Sequence, residues 1–200
     1  MNELYLDDFH VGQKFGSGRL RVETNQIKAF AAEFDPQPFH LDEEAAKSSF
    51  FGGLAASGWH TAALTMRLLV TSDLKPAGGV IGASNEISWT RPVRPGDDLR
   101  IESEVLEVRP SKSRPEQGMI KVRSTTLNQK DEPVQVLTAN LVVPRRPASA
   151  ALTEDAKMGG TRDPGQDTMA GEPWQTRRQR KRWPTAAPRR RPTSEPTRTA

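Results

Sequence analysis

The 200-residue chain contains no cysteine and only three histidines, His10, His40 and His60, which are far apart in the sequence. The absence of cysteine excludes disulfides, thiolate metal sites and a cysteine nucleophile. A metal would depend on the three histidines and scattered carboxylates, so we expect no metal site. This composition is compatible with a reducing compartment, and we expect a cytoplasmic protein.

The chain also lacks a long hydrophobic run. Its most apolar window, residues 54–70, is interrupted by Ser57, His60 and Arg67. The window is shorter than the ~20 apolar residues that a membrane-spanning helix requires. Residues 1–8 are acidic where a secretory signal peptide has a basic start. We therefore expect neither a membrane span nor secretion.

Charge is unevenly distributed along the chain. Residues 1–150 contain 18 Lys and Arg against 19 Asp and Glu, whereas residues 151–200 contain 11 against 6. From residue 147 onward the chain is rich in Arg, Pro, Thr and Ala and poor in aliphatic residues, and such a composition cannot bury enough apolar surface to offset the entropy of folding. The sequence predicts a domain over residues 1–146 and a disordered basic tail over 147–200. Arginine runs at 177–182 and 189–191 could bind RNA, DNA or an anionic membrane nonspecifically.

The hydrophobic pattern predicts three helices in the first half of the domain. Apolar residues at helical spacing indicate a helix over residues 24–34, capped by Thr24, which must end before Pro36. A short helix begins near Asp42 and ends before two glycines. Ser57 is the predicted N-cap of a longer helix reaching about residue 73. The face of that helix predicted to lie in the core consists of Trp59, Ala62, Ala63, Met66, Leu69 and Val70.

Residues 9–22 are predicted to form an entry loop and a first strand, in which Leu20 and Val22 alternate with arginines. In the second half, alternating patterns predict four more strands over 80–90, 97–109, 119–128 and 134–143, separated by turns rich in Pro and Gly. One strand, then helices, then four strands indicates an α+β fold. An antiparallel sheet curved around the helix that follows Ser57 would bury the most apolar surface.

One segment combines an acid, two prolines and a histidine, since residues 34–42 are Phe-Asp-Pro-Gln-Pro-Phe-His-Leu-Asp. Asp35 and His40 would be ~16 Å apart in a fully extended chain, so both reach one water only if the segment bends. An acid and an imidazole that share a water can transfer protons in both directions. Residues 57–61 then begin the apolar helix, where free backbone N–H groups can stabilise an oxyanion. Together these motifs predict addition or removal of water.

Three motifs resemble the MaoC-like dehydratases, which include the R-specific enoyl-CoA hydratases. They are Asp35-x4-His40 with Leu41-Asp42-x2-Ala45, the segment Phe-Gly-Gly-Leu-Ala-Ala-Ser-Gly at 51–58, and Arg-Pro-Val-Arg-Pro-Gly-Asp at 91–97. The resemblance covers residues 5–145 and does not include the tail. It implies a hot-dog fold, in which the curved sheet wraps around a central helix, and a homodimer whose two sheets join edge to edge.

The resemblance implies that Asp35 and His40 form the catalytic pair that orients and deprotonates water, and that the Gly58 N–H binds the thioester oxygen. Ser57 and Gly53 complete the expected substrate-binding residues. The implied reaction adds water reversibly to a 2-enoyl thioester of CoA or an acyl-carrier protein, giving a 3-hydroxyacyl thioester, with no cofactor besides the thioester substrate. Either member of the pair could take the first proton. Many of the family's enoyl-CoA hydratases have Asn at the position of Gln37 and His at that of Ser57. These differences leave the identity of the substrate's acyl group undetermined.

Two other functions of the hot-dog fold stay open. A noncatalytic subunit that binds acyl thioesters would have little need of both Asp35 and His40. A thioesterase commonly has a carboxylate on its central helix, and residues 58–72 contain no Asp or Glu. For other polar residues we expect structural roles. His60 would hydrogen-bond to local backbone, and Arg91 and Arg94 would be solvated turn residues.

Overall fold

Six strands form one antiparallel sheet in the computed structural model, which describes residues 3–147. The strands are β1 Lys14–Gly16, β2 Leu20–Arg21, β3 Ile81–Trp89, β4 Asp98–Pro110, β5 Gln117–Leu127 and β6 Pro133–Pro144. Their order is β1-β4-β5-β6-β3, and β2 also pairs with β4. The four predicted long strands are confirmed, while the predicted first strand is two short ones. Except for Pro147, the predicted tail lies outside the described residues.

Within residues 3–147, four α-helices lie between β2 and β3: α1 Thr24–Phe34, α2 Pro38–Leu41, α3 Glu43–Lys47 and α4 Gly58–Thr71. A 3₁₀ turn, Leu6–Asp8, precedes β1. Helix α1 ends before Pro36 as predicted, but Thr24 is its first residue and Glu23 occupies the cap position, so the predicted Thr24 cap is wrong. Asp42 caps α3, accepting a hydrogen bond of 2.8 Å from the Ala45 N–H. Helix α2 was not predicted, because four residues are too few to show a period.

Helix α4 packs into the concave face of the sheet. Ser57 is its N-cap, as predicted, and accepts a 3.2 Å hydrogen bond from the Trp59 N–H. The predicted inward face is wrong, since Trp59, Met66 and Val70 are 62, 44 and 55% exposed and only Leu69 of that set is buried. The residues that face inward are His60, Thr61, Leu64, Thr65, Leu68 and Leu69.

Two threonines explain this error. Thr61 donates to the Ser57 carbonyl oxygen over 3.2 Å, and the Thr65 and Thr126 hydroxyls lie 2.7 Å apart. These hydrogen bonds offset the cost of burying the hydroxyl groups. The predicted inward face, chosen by apolar periodicity, included neither threonine. The helix and its start were therefore predicted correctly, but the predicted buried face was rotated about the helix axis relative to the observed one.

The hydrophobic core lies between α4, α1 and the long strands. Burial of each large apolar side chain contributes about 1.5–3 kcal/mol, so this cluster dominates the stability of the domain. Its fully buried large members include Ile27, Leu74, Leu99, Ile101, Ile120, Val22, Val93, Val105, Val122, Val134 and Val143.

His60 is a buried histidine whose Nδ1 has no hydrogen-bond partner among residues 3–147. Its ring stacks on that of Phe30 from α1, with centroids 4.7 Å apart and planes 8° from parallel. The backbone hydrogen bond expected from the sequence is not formed by this nitrogen. Burial lowers the pKa of His60 below its ordinary value of 6.5, because desolvation penalises the charged ring.

This lowered pKa predicts acid destabilisation of the domain. His60 binds a proton more readily in the unfolded chain than in the folded one. The free energy of unfolding is therefore not reduced by this group above pH 6.5, and it decreases as the pH falls from 6.5 toward the lower pKa of the folded state. The variant His60→Leu should show a flatter dependence of melting temperature on pH between 5 and 8 than wild type. The variant His10→Gln changes an exposed histidine, and its melting temperature should depend on pH as that of wild type does. A His60→Leu curve as steep as that of wild type would contradict this assignment.

Candidate active site

The side chains of Asp35 and His40 meet at the junction of α1 and α2. Asp35 is the residue after α1, and the single turn of α2 bends the chain so that Asp35 Oδ2 lies 3.5 Å from His40 Nε2. The sequence predicted this bend and the convergence of the two side chains. The His40 side chain is 4% exposed and that of Asp35 is 19% exposed, so both are largely shielded from solvent while Asp35 reaches the surface of a cavity.

The backbone fixes the orientation of the His40 ring. His40 Nδ1 lies 2.7 Å from the carbonyl oxygen of Ala55. A carbonyl oxygen only accepts, so Nδ1 carries the hydrogen, and in the neutral ring Nε2 then has a free lone pair. Nε2 is the ring nitrogen on the side of Asp35, 3.5 Å from its Oδ2. The ring is thus held in the tautomer that a general base requires.

Two side chains hold the Asp35 carboxylate. The Ser57 hydroxyl donates to Oδ2 over 2.6 Å, and the Gln37 amide donates to Oδ1 over 2.7 Å. The hydrogen bond from Ser57 is the largest cause that lowers the pKa of Asp35 below its ordinary 3.8; partial burial opposes it, the hydrogen bond from Gln37 adds to it, and the charge of His40 adds a smaller lowering when that ring is protonated. Asp35 is therefore ionised at neutral pH.

Gly58 begins α4 beside this pair. The first amide of a helix has no intrahelical acceptor, and the helix dipole adds positive potential there. A Cβ placed on Gly58 would lie 2.9 Å from the indole of Trp89, so a side chain here would require the indole to move. The glycine therefore allows the close contact with Trp89, and its amide is one of the first in α4, which have no acceptor within the helix.

A cavity of about 500 Å³, called the site cavity below, brings these groups together. Its wall contains four of the five predicted site residues: Asp35, His40, Ser57 and Gly58. Five aromatic residues also line it, together with Arg91: Phe39, Phe50, Phe51, Trp59 and Trp89. Sequence reasoning missed Trp89, because it is 31 residues from Gly58 and only the pairing of β3 brings it there.

Gly53, the fifth predicted site residue, does not line the site cavity. Its carbonyl oxygen accepts a 2.6 Å hydrogen bond from Arg94 Nη1, which also donates to the Leu54 carbonyl over 3.1 Å, and Arg94 Nη2 donates to the carbonyl of Phe51. The interpretation of Arg94 as a solvated turn residue is therefore wrong. Arg94 fixes the loop that leads to Ala55, whose carbonyl orients His40.

Two kinds of feature are absent from the described residues. Between residues 3 and 147, no group of three or more His, Asp or Glu side chains is arranged to hold a metal ion. Over the same range, no helix has the length and apolar content needed to cross a membrane.

The curved sheet around α4 defines a hot-dog fold, and the comparisons with known proteins identify its family. The chain belongs to the MaoC-like family, whose MaoC like domain model matches residues 8–128. A crystal structure of a MaoC-like dehydratase from Rhodospirillum rubrum is 63% identical, with a TM-score of 0.71, covering 72% of this chain and 99% of that one.

Two curated proteins are also similar. The uncharacterized protein YdeM of Bacillus subtilis is 37% identical over 139 residues, which are 69% of this chain and 96% of YdeM. A 3-hydroxybutyryl-CoA dehydratase of Methylorubrum extorquens is 31% identical over 112 residues, which are 56% of this chain and 69% of the dehydratase. The predicted family and fold are thus confirmed.

The hydrogen bonds to Asp35 predict an order of effects on its pKa. The variant Ser57→Ala removes the largest stabilisation of the carboxylate and should raise the pKa of Asp35 more than Gln37→Ala does. A ¹³C NMR titration of aspartate carboxyl groups measures both changes. Asp7 serves as an internal control, since Arg145 and not Ser57 lowers its pKa. A larger rise in Gln37→Ala than in Ser57→Ala would show that Ser57 is not the dominant partner.

Proposed function

We propose that the protein is an acyl-CoA hydratase/dehydratase that adds water reversibly to 2-enoyl thioesters and gives 3-hydroxyacyl thioesters. One observation carries this proposal. Asp35 Oδ2 and His40 Nε2 lie 3.5 Å apart at the wall of a cavity that Gly58 also lines. The proposal assigns both proton transfers to this pair, so the reaction uses no cofactor besides the thioester.

The first step forms the C3–O bond. A water that contacts Asp35 and His40 Nε2 gives up a proton to the pair as its oxygen attacks C3 of the enoyl group. The C2–C3 π electrons move toward the thioester, and negative charge develops on the carbonyl oxygen. General base catalysis of this kind typically contributes about 100- to 10,000-fold in rate.

The second step forms the C2–H bond. The pair returns a proton to C2, the enolate collapses to the thioester, and Asp35 and His40 regain their starting protonation states. The Gly58 amide and the dipole of α4 act on the oxygen while it is charged, and one such donor is typically worth about 100- to 1,000-fold in rate. Dehydration follows the same path in reverse.

Similarity to known proteins supports the choice of substrate. The Methylorubrum extorquens relative is a 3-hydroxybutyryl-CoA dehydratase, so its name gives it a 3-hydroxyacyl thioester as substrate. We therefore propose a CoA thioester as substrate and a role in fatty acid metabolism. A cytoplasmic location is also part of the proposal and rests on the cysteine-free composition. Gly53 and Ser57 are proposed to act near the thioester, Ser57 directly at the cavity wall and Gly53 through the loop that Arg94 holds.

The hydration test measures the loss of enoyl absorbance with purified protein and a series of trans-2-enoyl-CoA substrates. Wild type should consume the enoyl group without releasing free CoA thiol. The variants Asp35→Asn and His40→Ala should each reduce kcat/KM at least about 100-fold, since each removes a proton-transfer group. The variant His10→Ala, which changes an exposed histidine, should retain wild-type activity.

Other outcomes separate the alternatives. Release of CoA thiol would indicate a thioesterase, although α4 carries no Asp or Glu. Binding of acyl-CoA without any turnover by folded protein would indicate the noncatalytic subunit. Activity of Asp35→Asn above a tenth of wild type would show that Asp35 is not part of the acid/base pair.

We also propose that two copies of the chain associate through β3 and the outer face of α4. Strand β3 is at one end of the strand order, and its residues Ile81 and Trp89 are 50 and 45% exposed. Met66 of α4 lines one small cavity together with Gly82 and Asn85 of β3, so the two exposed surfaces are continuous. Exposed apolar surface beside an unpaired strand edge is typical of an interface.

The dimer is tested by sedimentation equilibrium of the full chain, whose mass is 22.1 kDa. Wild type should have about twice that mass at micromolar concentration. The variant Met66→Glu places a charge on the proposed interface and should shift the protein toward monomer, because a buried unpaired charge is costly. The variant Val11→Glu, at a 64% exposed apolar residue in another part of the domain, should stay dimeric. A monomeric wild type would contradict this part of the proposal.

A further inference from the structure

A row of three paired residues crosses the sheet beneath α4. Trp89 of β3 is paired with Gln135 of β6, and Gln135 is paired with Thr126 of β5. Residues paired in this way carry their side chains on the same face of a sheet. Thr65 of α4 hydrogen-bonds to Gln135 and to Thr126, so this face is the one on which the helix packs. The proposed proton transfers use none of these four side chains.

The Trp89 indole fixes the orientation of the Gln135 amide. An indole N–H only donates, so the amide atom that lies 2.9 Å from it is the oxygen Oε1. The NH₂ group of Gln135 then donates to the Thr65 hydroxyl over 2.9 Å. That hydroxyl lies 2.7 Å from the hydroxyl of Thr126 and, because it accepts from Gln135, can donate to it. Both ends of the fully buried Gln135 amide are therefore bonded.

The same indole packs on the first residue of α4. A Cβ built on Gly58 would lie 2.9, 3.1 and 3.2 Å from Cε2, Cδ2 and Cζ2 of Trp89. Cε2 is bonded directly to Nε1, the atom that donates to Gln135. The part of the ring that touches Gly58 is therefore the part that Gln135 holds.

Few other contacts restrict the Trp89 side chain. Trp89 is the last residue of β3, which within residues 3–147 pairs only with β6. It is 45% exposed, and its ring meets that of the 62% exposed Trp59 edge to face, with centroids 5.6 Å apart. Other rotamers are open to a side chain at such a place. Because the indole has a single polar group, its hydrogen bond to Gln135 selects the rotamer that lies on Gly58.

The position of this ring bears on the proposed reaction. Trp89 and Gly58 line the site cavity together with Asp35 and His40. In the proposed reaction the thioester oxygen lies at the Gly58 amide, so a ring that lies on Gly58 limits how far the thioester can move from that amide. A displacement of about 1 Å can cost roughly 100-fold in rate.

We propose that Gln135 is a positioning residue, which holds the Trp89 indole on Gly58 and so keeps the thioester beside the Gly58 amide. This inference rests on the proposed hydratase function and adds to it a residue that is not part of the cavity wall. Gln135 touches neither the substrate nor the reacting atoms and acts through Trp89. Thr65 holds the other end of its amide.

The first test uses Gln135→Leu, which keeps a similar side-chain size and removes the acceptor for Trp89. With trans-2-butenoyl-CoA, kcat should fall at least about tenfold and KM should change less, because the contact with the amide matters most while the oxygen is charged. The matched control is Thr126→Val, which removes a buried hydroxyl from the same group and leaves the bond between Gln135 and Trp89 intact. Its melting temperature should fall, but its kcat should stay within about twofold of wild type. An equal loss of kcat in both variants would show that kcat follows core stability and would overturn the proposal.

A double-mutant cycle tests whether Gln135 acts through Trp89. Trp89→Phe keeps an aromatic ring and removes the indole N–H, so it should also lower kcat. The double variant should be no slower than Trp89→Phe, since Gln135 then has no indole to hold. Effects that multiply would overturn the proposal. Should Gln135→Leu not fold, Trp89→Phe removes the same hydrogen bond from the other side, and a wild-type kcat in that variant would overturn the proposal as well.

Nuclear magnetic resonance tests the positioning without turnover. Solvent exchange of the Trp89 indole N–H, assigned with Trp89→Phe, should be slower than that of the exposed Trp59 in wild type. In Gln135→Leu it should be at least about tenfold faster, because a hydrogen-bonded N–H is protected from exchange. The Gly58 amide signal, which lies near the ring, should shift in Gln135→Leu and not in Thr126→Val. A Gly58 signal that is the same in Gln135→Leu and wild type would overturn the proposal.

Failures of the two proposals differ. If no enoyl-CoA is hydrated but the Gly58 signal shifts in Gln135→Leu alone, the hydratase proposal fails and the positioning of Trp89 by Gln135 holds. If wild type hydrates trans-2-butenoyl-CoA and Gln135→Leu does so with an equal kcat, the positioning proposal fails and the hydratase proposal holds.

Discussion

The Ser57 hydroxyl is the contact on which the rest of the site depends. It accepts the Trp59 N–H at the start of α4 and donates to Asp35 at the end of α1, over 3.2 and 2.6 Å. One oxygen therefore both caps the central helix and fixes the carboxylate beside the Gly58 amide. Since a cap is worth about 0.5–2 kcal/mol, the same group that positions Asp35 also stabilises the helix that carries Gly58.

The arrangement of elements could be predicted from the sequence where local chemistry decides it. Pro36 ends α1, Asp42 and Ser57 cap their helices, and alternating apolar residues give β4, β5 and β6. The short helix α2 and the split of the first strand were not predicted, because each piece is too short to show a period. Pairing partners across the sheet depend on tertiary packing, which one-dimensional patterns do not contain.

In the candidate site, too, some residues could be predicted from local sequence and others could not. Asp35 and His40 were found because their motif is local, and Gly58 because it begins a helix. The groups that orient them come from distant segments. Trp89 contacts Gly58 through the curvature of the sheet, and Arg94 reaches back over 41 residues to the Gly53 carbonyl. An arginine in a turn and a tryptophan in a strand have no sequence signal for these roles, since both depend on which loops the fold brings together.

The wrong orientation predicted for α4 has a physical explanation that bears on the assembly. Apolar periodicity finds a face that needs burial, but it does not distinguish burial within the chain from burial against another chain. The strongest apolar stripe, with Trp59, Met66 and Val70, faces outward, while threonines with hydrogen bonds fill part of the inner face. A helix that packs on its own sheet with one face and on a second copy with the other needs residues suited to burial on both faces. The stripe that misled the prediction therefore supports the proposed dimer, because exposed residues of this kind would otherwise stay unpaired beside the edge strand β3.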